Sequence, residues 1–165
     1  MTSKPSALSW LLLSLLVIVF DQLTKHIVLI QLQPYVPHPV IPGLLNWTLA
    51  FNSGAAFSFL AGADGWQRWL FATLAIGVSL MLAFYLSRTP RRDWRNAAPF
   101  ALIIGGALGN LIDRLRFGQV TDFIQVYHQD WAFPAFNIAD SSISIGAALL
   151  ILFGFASRKV ADAGG

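Results

Sequence analysis

The class of this protein can be read from residues 7–30, ALSWLLLSLLVIVFDQLTKHIVLI. The apolar run that follows Lys4 resembles the start of a secretory signal, but no small-residue cleavage site comes after it. Asp21 and Lys25 interrupt the run, which then returns to apolar residues at 27–30. Since about 17 to 25 apolar residues cross a bilayer, this pattern predicts one retained membrane helix over about residues 8–32.

The composition excludes an ordinary soluble domain. Of the 165 residues, 56% are apolar and 12% are charged, with a mean hydropathy of +0.61, whereas soluble domains are about 25% charged. The absence of cysteine excludes disulfides, thiolate metal sites and cysteine nucleophiles. The net charge of +3 comes from basic residues in short loops between apolar runs, which is a topology signal and does not indicate a nucleic-acid partner.

Three further apolar runs follow, over about residues 66–86, 97–112 and 138–155. Each is near the length that crosses a bilayer. The sequence therefore predicts an all-α polytopic membrane protein, with four transmembrane helices in a single membrane domain over residues 1–165.

The basic residues predict the orientation of these helices. Seven fall on one side of the membrane and four on the other. The seven are Lys4, Arg88, Arg91, Arg92, Arg95, Arg158 and Lys159, and the four are Lys25, Arg68, Arg114 and Arg116. Because positive charge collects in cytoplasmic loops, we expect both termini and the arginine-rich middle loop in the cytoplasm.

Two external segments are too long for simple turns. The first, residues 33–65, contains four prolines between 34 and 42, which exclude helix, and then a strand-like run at 44–51. The second, about 113–137, carries another strand-like run at 123–127. These segments predict a small external β-element.

The polar residues of the membrane helices converge at the outer face. Ionisable groups in membrane spans are costly, so by default they mark function or close pairing. With the predicted topology, the polar residues of three helices meet there: Asp21, Lys25, Asn110, Asp113, Arg114, Asn137, Asp140 and Ser141. Asp122 lies in the loop that joins the third and fourth helices, at the same face.

Helical spacing predicts how several of these groups pair. Asp21 and Lys25 are four residues apart with the acid first, which is the favoured order for a structural ion pair. Asn110, Asp113 and Arg114 share one face of a helix end. Asp113 has two possible partners, which are Arg114 and a basic residue of a neighbouring helix.

Asp122 and Asp140 have no obvious cation near them in the sequence. Two carboxyl groups held close together cannot both ionise cheaply, so one becomes an acid and the other a base that can activate water. Alternatively, Asp140 caps the N-terminus of the fourth helix, where an acid also interacts well with the helix dipole. Spacing alone does not separate the two readings.

Other functions have less support. His26, His38 and His128 are scattered, and the chain contains no glutamate, so the HExxH pattern of zinc peptidases is missing. No serine has the G-x-S-x-G context of a serine hydrolase. A proton-coupled transporter would place its acid near the midplane, and a scaffold would leave Asp122 and Asp140 unexplained.

Five ordered blocks span roughly residues 21 to 141, which is most of the chain. The blocks are DQLTK (residues 21–25), FNSGAAF (51–57), GNLIDR (109–114), VTDF (120–123) and FNIADS (136–141). Together they resemble the motifs of bacterial lipoprotein signal peptidases (signal peptidase II).

The resemblance implies an intramembrane aspartyl endopeptidase without metal or cofactor, and it implies a periplasm-facing β-cradle. Such an enzyme removes signal peptides from prolipoproteins by cutting before a cysteine that carries a diacylglyceryl group, in the bacterial cytoplasmic (inner) membrane with its site at the outer face. Asp122 and Asp140 would be the catalytic pair. The remaining carried-over residues fall into two sets: Asn52, Gly54, Asn110, Arg114 and Asn137 would line the site, and Asp21, Lys25 and Asp113 would support it.

Overall fold

The computed structural model describes residues 6–54 and 65–162, except for the side chains of residues 155–162. A turn of 3-10 helix at Ala7–Trp10 precedes the first of four helices. These are α1 (Leu11–Gln31), α2 (Trp66–Arg88), α3 (Trp94–Phe117) and α4 (Ile138–Asp162).

Three helical segments of the described chain are long and apolar enough to cross a membrane. They are Ala7–Gln31, Trp66–Arg88 and Trp94–Phe117, while Ile138–Gly154 is a shorter apolar helix. The predicted helical membrane fold is therefore confirmed. The number of four spans stays a prediction.

Helix α3 is longer at both ends than the apolar run at 97–112 that predicted it. It begins after Asp93, whose carboxylate accepts hydrogen bonds from the backbone and side-chain nitrogens of Asn96. It ends at Gly118, which has a left-handed φ of 78° and donates its N–H to the carbonyl of Arg114. The prediction from hydropathy ends this helix before Asp113. In the structure Asp113 is 1% exposed and lies within the packed part of the helix.

Helix α3 is the central helix of the bundle. Of the most apolar 18-residue stretch of α3, 56% is buried, against 22% for the corresponding stretches of the spans Ala7–Gln31 and Trp66–Arg88. Glycines allow its close contacts, because a Cβ on Gly105 would lie 2.8 Å from the carbonyl oxygen of Ser14 and one on Gly106 would overlap that of Ala139. Small residues of this kind let membrane helices approach closely.

The two segments that the sequence predicts to be external contribute to one four-stranded antiparallel sheet with the order β1-β2-β3-β4. Its strands are β1 (His38–Ile41), β2 (Leu45–Asn52), β3 (Val120–His128) and β4 (Trp131–Ala132). The predicted β-element is confirmed. The sheet also joins both external segments, because β2 comes from the first and β3 from the second.

An apolar cluster attaches the sheet to the helices. Leu49 of β2 and Phe123 of β3 are each 2% exposed and pack with Val28 of α1. In the pairing of β2 with β3, Asp122 lies opposite Ala50. The sheet therefore holds Asp122 against the ends of the helices that carry the other polar residues.

Candidate active site

A buried ion cluster joins α1 to α3. The Nζ atom of Lys25 lies 2.8 Å from Oδ2 of Asp21 and 3.1 Å from Oδ2 of Asp113, and all three residues are at most 2% exposed. The predicted pairing of Asp21 with Lys25 is confirmed, and Asp113 takes the base of the neighbouring helix instead of Arg114. Sequence reasoning missed Gln22, whose Nε2 donates to Oδ1 of Asp113 at 2.9 Å.

Asn110 connects this cluster to the carboxyl group of Asp140. Its Oδ1 accepts a hydrogen bond from Nζ of Lys25 at 3.0 Å, and its Nδ2 donates to Oδ1 of Asp140 at 2.7 Å. Its Oδ1 also accepts from Nδ2 of Asn137 at 3.1 Å. One amide of α3 therefore contacts residues of both α1 and the start of α4.

Asn137 and Asp140 form a capping box at the start of α4. Asn137 precedes the first helical residue, and its Oδ1 accepts from the backbone N–H of Asp140 at 2.8 Å. In return, Oδ2 of Asp140 accepts from the backbone N–H of Asn137 at 3.3 Å. This reciprocal pattern satisfies N–H groups that a helix start leaves free. Asp140 thus takes part in a cap while its Oδ1 faces Asn110.

Asp122 is 3% exposed and is held by two asparagine side chains. Its Oδ1 accepts from Nδ2 of Asn137 at 2.7 Å, and the side chain of Asn52 also hydrogen-bonds to it. Burial and then the negative charge of Asp140 raise the pKa of Asp122 to about 7, against the weaker opposing effects of the hydrogen bond from Asn137, the charge of Lys25 and the bond from Asn52. A carboxyl group with such a pKa can hold a proton at neutral pH.

Arg114 ties α3 to the chain that follows β2. Its Nη2 donates to the carbonyl of Gly54 at 3.0 Å, and its Cζ lies 5.1 Å from the ring centroid of Phe71. Gly54 in turn donates its N–H to Oδ1 of Asn52 at 2.9 Å. These contacts bring the guanidinium group beside the residues that hold Asp122.

One cavity of about 780 Å³ is lined by six of the polar residues that the sequence pointed to. Its polar lining includes both carboxyl groups and their neighbours: Asn52, Asn110, Arg114, Asp122, Asp140 and Ser141. Its apolar lining includes Tyr35, Phe133, Phe136, Ile143 and Ile145. Of the predicted lining residues, Asn137 and Gly54 contribute by hydrogen bonds behind this surface. The cavity therefore has a polar part with two carboxyl groups and an apolar part beside it.

The described part of the chain contains no group of three or more His, Cys, Asp or Glu residues that could hold a metal ion. The polar part of the cavity is instead built from carboxyl, amide and guanidinium groups. Asp122 is buried and Asp140 is partly buried. Two carboxyl groups that face one cavity and have different hydrogen-bond partners can divide the roles of acid and base.

Sequence comparison associates the chain with peptidases. A family model described as "Signal peptidase (SPase) II" matches residues 13–156. The "Lipoprotein signal peptidase" of Xylella fastidiosa (strain M12) is 57% identical over 154 residues, which cover 92% of each chain. The protein of the same description from Xanthomonas campestris pv. campestris (strain 8004) is 57% identical over 156 residues, covering 94% of this chain and 93% of the relative.

Two solved structures have the same fold. One, described as "Bacterial membrane enzyme structure by the in meso method at 2.3 A resolution", gives a TM-score of 0.79 at 32% identity and covers 96% of this chain and 94% of that one. The other, with the same description at 1.9 Å resolution, gives a TM-score of 0.72 at 34% identity and covers 92% of this chain and 96% of that one. The similarity extends over the helices and the sheet that together form the cavity.

Proposed function

This chain belongs to the signal peptidase II family, and from that premise we propose that Asp122 and Asp140 are its catalytic pair. The protein is an aspartyl endopeptidase that processes prolipoproteins. The observation that carries the assignment is that both carboxyl groups line one cavity and that asparagine amides donate to each of them. Asp122 comes from the sheet and Asp140 from α4, so only the folded chain brings them together.

Their environments divide the two chemical roles. Both oxygens of Asp140 accept N–H groups, from Asn110 and from the backbone of Asn137, and such donors favour the ionised form. The raised pKa of Asp122, about 7, keeps about half of this group protonated at neutral pH, where an ordinary carboxyl group is almost wholly ionised. Asp140 is thus the base that takes a proton from water, and Asp122 is the acid that donates to the oxygen of the scissile carbonyl.

The reaction follows from this division. Water attacks the amide carbon as Asp140 takes its proton and Asp122 protonates the carbonyl oxygen, which gives a neutral tetrahedral diol. Asp140 then donates its proton to the amide nitrogen, Asp122 recovers one from a hydroxyl group, and the C–N bond breaks. The products are a carboxylic acid at the end of the signal peptide and a free amine on the lipoprotein.

The other predicted site residues bind the substrate or hold the catalytic pair in place. Arg114 has guanidinium hydrogens beyond its bond to Gly54 and lines the cavity next to Asp122, so it can donate to a carbonyl of the peptide. Asn52 links Asp122 to Gly54. Asp21, Lys25 and Asp113 support the site from behind, as the buried ion cluster.

The substrate is a prolipoprotein whose cysteine carries a diacylglyceryl group, and cleavage occurs before that cysteine. The apolar part of the cavity, which includes Phe136, Ile143 and Ile145, suits an apolar signal helix and acyl chains. Both partition into the bilayer, which brings the scissile bond to the interface. The site then belongs at the outer face of the bacterial cytoplasmic (inner) membrane, with both termini in the cytoplasm, as the distribution of basic residues indicates.

One purified prolipoprotein, prepared with and without the diacylglyceryl group, tests this substrate assignment. We expect the protein in detergent micelles to cleave the lipidated form at least about a hundredfold faster than the unlipidated form, because binding energy from a remote group raises the rate at the reacting bond. Mass spectrometry of the products gives the rates and the cleavage position. Equal rates for the two forms, or cleavage away from the cysteine, would contradict the assignment.

The raised pKa of Asp122 predicts an alkaline loss of activity. Between the ordinary value of 3.8 and about 7, the folded protein binds a proton that the unfolded chain releases. Raising the pH through this window therefore lowers the stability of the fold, and passing about 7 also removes the acid from the catalytic pair. We expect kcat/KM, whose pH profile reports the groups of the free enzyme, to fall on the alkaline side with a midpoint near 7, measured between pH 5.5 and 9 on the lipidated substrate.

Asn52→Ala provides the matched comparison for this profile. The hydrogen bond from Asn52 lowers the pKa of Asp122, so its removal should move the alkaline midpoint to higher pH. A kcat/KM that stays constant across the range in the unaltered protein would refute the assignment of Asp122 as the acid.

A further inference from the structure

We propose that Lys25 is a positioning residue for the catalytic pair, because its ammonium group fixes the orientation of the Asn110 amide that donates to Asp140. This inference rests on the proposed function, since it takes Asp140 to be the base. It goes further by giving the buried ion cluster a role in the chemistry as well as in the fold.

The first step is the contact between Lys25 and Asn110. An ammonium group can only donate hydrogen bonds, and Nζ of Lys25 lies 3.0 Å from Oδ1 of Asn110 in a buried environment. The amide of Asn137 also donates to the same oxygen, at 3.1 Å. Both neighbours on this side of Asn110 are donors, so the side of the amide that faces them has to be the oxygen.

The second step follows from the geometry of an amide. With Oδ1 directed at Lys25, Nδ2 of Asn110 is directed at Asp140 and donates to its Oδ1 at 2.7 Å. A turned amide would place its hydrogens against the ammonium group and its oxygen against the carboxylate of Asp140. Both contacts would be repulsive in a site with little water, where unpaired polar groups are costly. Lys25 thus determines that Asp140 receives a donor, which favours its ionised form.

A similar constraint operates on Asn137. Its Oδ1 accepts from the backbone N–H of Asp140 at 2.8 Å, and a backbone N–H can only donate. Its Nδ2 is therefore directed at Asp122, at 2.7 Å. The two asparagines are oriented by different donors, and the orientation of Asn110 is the one that depends on a side chain outside the cavity.

The opposing reading is that Lys25 acts only by balancing charge. Its ammonium group neutralises Asp21 and Asp113 at 2.8 and 3.1 Å, and its charge also acts on Asp140 through space. Other charged groups that act on Asp140 are Asp21 from α1, Asp122 from β3 and Arg114 from α3. A test has to separate the orientation of the amide from all of these charges, which remain in place when Asn110 is altered.

A double-mutant cycle in an Asp113→Asn background makes this separation. Asn retains an oxygen that can face the backbone N–H of Thr121, which Asp113 binds at 2.9 Å. In this background, Lys25→Gln leaves the cluster with the same net charge as the unaltered protein, because one acid and one base are both gone. The cycle adds Asn110→Ala alone and together with Lys25→Gln, and the Asp113→Asn protein is the reference.

The measured quantity is the midpoint of the acidic limb of the kcat–pH profile, which reports ionisation of the base. Unlike kcat itself, this midpoint is independent of the fraction of protein that is folded. We expect Lys25→Gln to raise it by about one pH unit when Asn110 is present. When Asn110→Ala is also present, there is no amide to orient. Lys25→Gln should then shift the midpoint by less than about a third of a pH unit.

Two outcomes of the cycle overturn the proposal. Equal shifts with and without Asn110 mean that the charge of Lys25 acts through space, and no shift in either case means that Lys25 is only structural. Should Lys25→Gln fail to fold in this background, Asn110→Asp decides instead, since it retains an acceptor for Lys25 and loses the hydrogens that face Asp140. We expect it to lower kcat at least about a hundredfold, and an unaltered kcat overturns the proposal.

The failure of this inference is distinguishable from the failure of the proposed function. If Asp140→Asn retains cleavage, Asp140 is not the base and the proposed function is wrong. If Asp140→Asn is inactive while the cycle gives equal shifts or none, the catalytic pair stands and only the role of Lys25 is wrong.

Discussion

Asp122→Asn and Asp140→Asn should each abolish cleavage of a lipidated prolipoprotein, with kcat lowered at least about a thousandfold. An amide in place of Asp140 cannot take a proton from water, and one in place of Asp122 cannot protonate the carbonyl oxygen. Asparagine has nearly the same shape as aspartate, so we expect both variants to fold. The measurement is single-turnover cleavage with purified protein in detergent, together with a thermal unfolding curve for each variant.

Asp130→Asn is the matched control for these two variants. Asp130 follows β3, the strand that carries Asp122, but it is exposed and lies outside the cavity lining. We expect it to cleave at the rate of the unaltered protein. The assignment of the pair fails if either Asp122→Asn or Asp140→Asn turns over substrate at a comparable rate. An unchanged unfolding temperature in the inactive variants would exclude loss of the fold as the cause of inactivity.

Lys25→Met should cause the largest loss of stability. The ammonium group lies at hydrogen-bonding distance from three side chains, 2.8 Å from Asp21, 3.1 Å from Asp113 and 3.0 Å from Asn110. Removing one partner of a buried ion pair leaves uncompensated charge and costs about 3–5 kcal/mol. We expect a lower free energy of unfolding by this amount, or failure of the protein to accumulate in the membrane, and denaturant unfolding in detergent measures the first.

Arg92→Met controls for the loss of a positive charge. Arg92 is exposed in the turn between α2 and α3, and charges of this kind contribute about 0–1 kcal/mol. Its variant should unfold within that range of the unaltered protein. Lys25→Met with a similarly small effect would mean that the two carboxylates find other compensation, contrary to the structural role of the cluster.

The helical spacing of polar residues predicted part of the site correctly. Asp21 and Lys25 are one turn apart on α1, so their contact depends only on the helix and could be read from the sequence. The partner of Asp113 could not be read in this way. Its neighbour Arg114 and a base from another helix were both possible, and only the packing of α1 on α3 selected Lys25.

The end of α3 shows why hydropathy alone gives the wrong boundary. The apolar run ends at 112, but the helix continues to Phe117 because Asp113 finds its partners inside the protein and Gly118 ends the last turn. A hydropathy scale treats each polar residue as facing solvent or lipid. It has no information on a charge that a second helix neutralises.

The sequence by itself determined the class of the protein, the approximate helices, the two strand-forming segments and the residue types available for chemistry. Apolar runs and helical spacing are local properties, so they can be read from the sequence without knowledge of the fold. The tertiary structure gave Asp140 its contacts, which its spacing in the sequence leaves open. The start of α4 binds one of its oxygens in a cap, and α3 brings Asn110 to the other, in the cavity that Asp122 also lines. The burial that raises the pKa of Asp122 to about 7 likewise depends on the sheet packing against the helices, which no single segment of sequence encodes.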